Sequence, residues 1–180
     1  ITSDNRSGSF VGSEFAYEDL GSQELEKYKD RKYLRKEACP NNNELECHVI
    51  SRVPTEKSSG YKYQVLWLDD TAAHKVWKID YFDRKGSHLK TLFFDDYKIY
   101  LDKHWRPSIY KMINHQTGKS TDLLVQNIKL AEVATGIGSE HVRAPRLALV
   151  GSERALVLKV IEEGLKNRPQ LPVYKNLTNN

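Results

Sequence analysis

The sequence predicts a mainly β protein with a helical addition, an antiparallel meander in which consecutive strands pair in order. Two observations carry this. Large apolar residues take every second position in short runs, as in Tyr61, Tyr63, Val65 and Trp67, and again in Trp77, Ile79 and Tyr81. Period two gives each strand one apolar and one wet face, the pattern of a sheet covered on a single side. Short turn sequences separate the runs, and such links join antiparallel neighbours.

The elements follow in order. Residues 1–16 are rich in Ser and Gly and read as loop, anchored by Phe10, Val11 and Phe15. Between Ser13 and Tyr28, the residues Glu18, Asp19, Leu20 and Leu25 suggest one or two short helical turns interrupted by Gly21. Strands are expected at Tyr33–Ala38, Cys47–Val53, Tyr61–Leu68, Lys75–Phe82, Leu89–Phe94, Tyr97–Leu101, Arg106–Asn114 and Thr121–Leu130. Asp83-Arg84-Lys85-Gly86 and Gln116-Thr117-Gly118-Lys119 are tight turns, and Pro54 to Gly60 is a polar loop. Residues 1–130 thus form one β domain. Residues 131–180 form a linker and a helical tail, where Ser152 caps a helix striped by Leu158, Ile161 and Leu165 and stopped at Pro169.

Composition narrows the function. Of 180 residues 39% are hydrophobic and 29% charged, and the net charge of +4 is interleaved with acids. That lacks the concentrated basic face of a nucleic-acid binder. No run reaches the ~20 apolar residues that cross a bilayer as a helix. The chain begins at Ile1 rather than Met, with no leader before it, and reads as a processed or truncated product. The Lys27–Lys36 run reads as a solvated strand edge, or as a contact for an anionic headgroup or acidic partner.

Catalytic chemistry is absent from the pattern. His48, His74, His88, His104, His115 and His141 are scattered, with no metal-binding pair on one face. Asp69-Asp70 and Asp95-Asp96 are paired carboxylates at expected strand ends, where turn formation explains them. No nucleophile elbow or phosphate-cradling loop occurs, so neither an enzyme, a cofactor nor a metal is expected. Cys39 and Cys47 flank a turn-rich stretch centred on Asn43; they either bridge a hairpin or stay unpaired thiols.

Several spaced motifs then coincide. Gly12-Ser13-Glu14-Phe15-Ala16-Tyr17-Glu18-Asp19-Leu20 resembles a segment of the LolA-like outer-membrane lipoprotein-sorting family. Cys47-His48-Val49-Ile50 before Val53-Pro54 resembles one of its strands. Trp105-Arg106-Pro107, Met112-Ile113-Asn114, Thr117-Gly118-Lys119 and Ser120-Thr121-Asp122-Leu123 resemble its later hairpin. The resemblance spans about residues 9–128. The family's usual helix and strands ahead of the first motif are missing, and the tail from Val142, with Arg168-Pro169-Gln170-Leu171-Pro172, resembles the end of dihydrodipicolinate synthase-like aldolases. That tail is either a lid packed on the sheet or a piece foreign to the first family, and the second resemblance brings no catalytic residue.

What the resemblance implies is a half-open, LolA-like antiparallel barrel sheet in the bacterial periplasm. Its concave apolar side would carry lipid or lipoprotein acyl chains, as a monomer, between an inner-membrane transporter and an outer-membrane acceptor. The residues expected to line that side are Tyr63, Val65, Trp67, Trp77, Ile79, Tyr81, Ile109 and Ile113. A one-residue slip would bring in Leu66 and Leu68 instead. The other reading is a non-transporting β module that docks an envelope membrane complex, its interior filled by its own side chains.

Overall fold

A computed structural model describes residues 6–21, 23–100 and 104–125. Its strands are β1 Tyr28–Cys39, β2 Asn42–Pro54, β3 Tyr61–Asp69, β4 Val76–Asp83, β5 His88–Tyr100, β6 His104–Asn114 and β7 Ser120–Leu124. They form one antiparallel sheet in sequence order, a meander. Among the described residues β1 and β7 do not pair with each other, so the sheet is open. Turn chemistry sets the links. Asp83 accepts from the amides of Lys85 and Ser87, both at 2.9 Å, and Gly86 takes φ +93° where a side chain would be strained.

Several boundaries differ from the sequence expectation. Leu89–Phe94 and Tyr97–Leu101 are not two strands, because β5 runs unbroken to Tyr100. The ladder from β6 continues through Asp95↔Ile109 and Tyr97↔Pro107 and carries the two carboxylates along mid-strand. Asp96 accommodates this at φ +50°, with the Ser108 hydroxyl donating to its carboxylate. Asp69-Asp70, by contrast, does close a strand: Asp69 accepts from Thr71 Oγ1 at 2.6 Å and from the Lys75 amide at 3.1 Å. The expected helical turns reduce to a 3-10 turn at Leu25–Lys27. Residues 126–130 of the last expected strand, and the C-terminal helix, lie outside the described residues.

The β1–β2 hairpin is not centred on Asn43. Cys39 faces Asn42 and Cys47 faces Glu37, with a register shift between Ala38 and Cys39. Asn41 makes the turn at φ +62°. The two sulfurs are bonded, with Cα atoms 4.9 Å apart.

Cross-strand partners share a face, so register decides which side chains meet. One row runs Ile50, Leu66, Ile79, Leu92 and Met112 across β2 to β6. The segment before the sheet covers this face, where Phe15 and Leu25 join Tyr81, Phe94 and Tyr110 in the main core. Its acids fasten it. Asp19, 2% exposed, accepts from Tyr61 Oη and Lys90 Nζ, each at 2.6 Å. Glu14 accepts from Asn114 Nδ2 at 2.7 Å, and Glu18 from the Gly60 amide at 2.8 Å.

Candidate functional site

The opposite face holds the second cluster. The row Val49, Trp67, Lys78, Phe93 and Lys111 runs across β2 to β6. Val49, Val65, Trp67 and Trp77 pack there with the Cys39–Cys47 bridge, and Leu45 and Tyr63 pack against them. Trp77 is the extra residue at a register shift between Trp67↔Lys78 and Leu68↔Val76. Such a bulge re-aims a side chain, and it places Trp77 in the same cluster as Trp67. Polar groups tie down the indoles: Trp67 Nε1 donates to Glu37 at 2.6 Å, Trp77 Nε1 to Asp69 at 3.0 Å. Lys78 Nζ lies 3.9 Å from the centre of the Trp67 ring, a close cation–π contact.

Beyond the indoles the same face opens. A cavity of about 190 Å³ is lined by Asn41, Phe93, Asp95, Ile109, Lys111 and Ile113. β2 and β5 are three strand spacings apart in this sheet, roughly 14 Å if the sheet were flat. Asn41 nevertheless lines the cavity with β5 and β6 residues, so the curvature of the sheet brings the hairpin tip to this face. The floor is apolar. Phe93, Ile109 and Ile113 are half-buried, whereas Asn41, Asp95 and Lys111 are exposed at the mouth.

The electrostatics around this face are set by local pairs. Arg35, hydrogen-bonded at 2.7 Å, holds the Glu37 carboxyl below its ordinary value, and Trp67 adds to the effect. At the far end the tilted rings of His88 and His115 lie with centres 4.3 Å apart, and both reach the Thr91 hydroxyl. Burial, then the neighbouring His88, pushes the His115 pKa down. Among the described residues no group of three or more His, Cys, Asp or Glu is placed to hold a metal.

The residues expected to line one apolar face divide between two. Tyr63, Val65, Trp67 and Trp77 come together on the hairpin face, largely buried beneath the chain's own side chains. Ile79 and Tyr81 are on the other face, because Ile79 pairs with Leu66 and Tyr81 with Gln64. Both are 1% exposed in the main core, together with Leu66 and Leu68. Ile109 and Ile113 line the cavity. Phe93, Lys111, Asp95 and Asn41 were not singled out by the sequence reading. Phe93 had a readable signal, since it lies in a strand whose register is fixed by the tight turn before it. Asn41 had none, because only the tertiary fold brings it to residues of β5 and β6.

An open meander sheet with a covering segment on one face and a small apolar cavity on the other defines a LolA-like architecture. Residues 1–136 match the profile of a family described as "Uncharacterized protein", and the chain belongs to that family. Among solved structures it is similar to a domain named for outer membrane lipoprotein sorting from Vibrio parahaemolyticus. That match has 50% identity and a TM-score of 0.63, covering 71% of this chain and 52% of that one. A DUF1329 family protein from Desulfovibrio piger matches at 22% identity and TM-score 0.59, over 68% of this chain and 49% of that one. A LolA superfamily protein from Nitrosomonas europaea matches at 17% identity and TM-score 0.54, over 69% of this chain and 57% of that one. The last two share the fold alone. The chain spans about half the length of these structures. No curated protein matches it.

Proposed function

We propose that the chain is the sheet portion of a periplasmic carrier that binds lipid or lipoprotein acyl chains for outer-membrane sorting. The observation that carries the reading is the apolar floor of Phe93, Ile109 and Ile113 in the cavity that Asn41 of the hairpin tip also lines. The similarity at 50% identity to a domain named for lipoprotein sorting supports it. Affinity would come from apolar surface leaving water, about 0.8 kcal/mol per buried CH₂. Such binding is non-directional, which suits a cargo that must later be released. An inner-membrane transporter and an outer-membrane acceptor are the partners this reading requires, with the chain acting as a monomer.

Native mass spectrometry of gently purified protein, followed by lipid extraction, tests it. A co-purifying acyl chain that is lost in Ile113→Glu is the expected result. An empty protein that also refuses a fluorescent fatty acid would overturn the carrier.

One observation favours the second reading, a β module that docks an envelope membrane complex. The face carrying Ile79, Tyr81 and Leu92 is filled by the chain's own segment, each of these residues being 1% exposed. Empty protein that co-purifies with envelope membranes would select it.

A further inference from the structure

The mouth of the cavity carries one unpaired charge of each sign. Lys111 lies opposite Phe93, and Asp95 opposite Ile109, so the two are diagonal neighbours on one face. Diagonal positions in an antiparallel pair have Cα atoms about 7–8 Å apart. Both side chains are exposed, and among the described residues neither makes an ion pair with the other or with a third group. Asp95 Oδ1 accepts only the amide of Asp96, at 2.8 Å. Most other charges near the hairpin face do have partners: Lys78 pairs with Asp80 at 3.0 Å, and Arg35 with Glu37 at 2.7 Å. Asn41, the remaining polar residue of the lining, offers both a donor and an acceptor.

We infer that this cavity reads a zwitterionic phosphoethanolamine headgroup, with Lys111 on the phosphate, Asp95 on the ammonium, and the acyl chain on Phe93, Ile109 and Ile113. The inference rests on the carrier reading and deepens it by naming the cargo class. An anionic headgroup satisfies Lys111 but places its charge against Asp95. A neutral headgroup satisfies neither. Charge complementarity of this kind sets specificity more than raw affinity.

The test titrates the full chain with three amphiphiles of one chain length, below micelle formation: lysophosphatidylethanolamine, lysophosphatidylglycerol and monoacylglycerol. Lysophosphatidylethanolamine is expected to bind at least fivefold tighter than lysophosphatidylglycerol. Asp95→Asn erases that preference and leaves lysophosphatidylglycerol binding no weaker. Lys111→Gln weakens both phospholipids and leaves monoacylglycerol unchanged. Both sites are exposed, so circular dichroism should show the fold intact in each variant. Equal or reversed affinities among the three would overturn the headgroup assignment and leave the carrier standing. Binding of none of the three would remove both.

Discussion

The ammonium of Lys90 meets the carboxylate of Asp19 at 2.6 Å, with the two side chains 6% and 0% exposed. This buried pair joins β5 to the segment that covers the sheet, and Lys90 also donates to the Glu14 carbonyl at 3.1 Å. Its neighbourhood is aromatic, with the Tyr61 and Tyr81 rings 5.3 and 5.5 Å from the ammonium. Removing one partner of a buried pair strands the other charge, at a cost of about 3–5 kcal/mol. Asp19→Ala is therefore expected to lower the urea unfolding free energy by that amount. The double variant Asp19→Leu with Lys90→Met should recover most of it. A double variant no more stable than Asp19→Ala would show that the pair is not what holds the segment.

Two buried tyrosines should respond oppositely to loss of the hydroxyl. Tyr61 Oη donates to Asp19 at 2.6 Å, whereas Tyr81 Oη is buried with no hydrogen-bond partner. A hydrogen bond to a charged group contributes about 1.5–3 kcal/mol, and an unsatisfied buried hydroxyl costs about 1–3 kcal/mol. Tyr61→Phe should destabilise within the first range. Tyr81→Phe should be neutral or stabilising by about 1 kcal/mol. Thermal denaturation of the two variants side by side decides the matter, and equal losses would contradict the assignment.

The Cys39–Cys47 bridge closes a short loop, with a sequence separation of 8. Restricting a loop of that length in the unfolded chain is worth about 2.5 kcal/mol in the chain-entropy model. The bridge also sits beneath the hairpin tip that brings Asn41 to the cavity. Cys39→Ser with Cys47→Ser should lose roughly that stability and weaken fatty-acid probe binding several-fold. Unchanged probe binding in a folded double variant would separate the bridge from the cavity.

Glu18 gives the fold a pH dependence of defined sign. Burial, its largest influence, raises its pKa above 4.5 despite hydrogen bonds from Gly60 and Ser59. The folded state then holds the proton more tightly than the unfolded chain does. Its stabilising contribution is complete below the unfolded value and is lost as pH rises through the higher folded pKa. The urea midpoint of the wild type relative to Glu18→Gln should therefore fall as pH rises from about 4 to 7. A difference that stays constant across this window would exclude Glu18 as the source.

Two of the sequence motifs prove to be halves of one contact. Glu14 and Asp19 lie in the segment Gly12–Leu20, and Asn114 ends the Met112–Asn114 motif; the Asn114–Glu14 hydrogen bond joins them across the fold. The spacing of each motif was legible, but their meeting was not, since hydrogen-bond partners so far apart in sequence leave no local period. Arg52 is a similar case. Its guanidinium is buried, donates to Gln64 at 2.9 Å, and lies 3.5 Å from the centre of the Tyr28 ring. In the sequence it is one basic residue at the end of a strand.

By itself the sequence determined the meander order and most of the strands, though not the unbroken run of β5, because alternation and turn chemistry act within a few residues and short links leave neighbouring strands little choice but to pair. The tertiary structure alone decided which alternating residues share a face. Trp67 and Ile79 look alike in the sequence, yet the pairing of Ile79 with Leu66 sends them to opposite sides. The bulge at Trp77 then puts that indole in the cluster that holds Trp67. Facing parity depends on loop length and on single inserted residues, and a shift of one position inverts a whole strand. The cavity depends on still more, since its lining joins Asn41 at the hairpin tip to Ile109 and Ile113, far from it in sequence and in strand order.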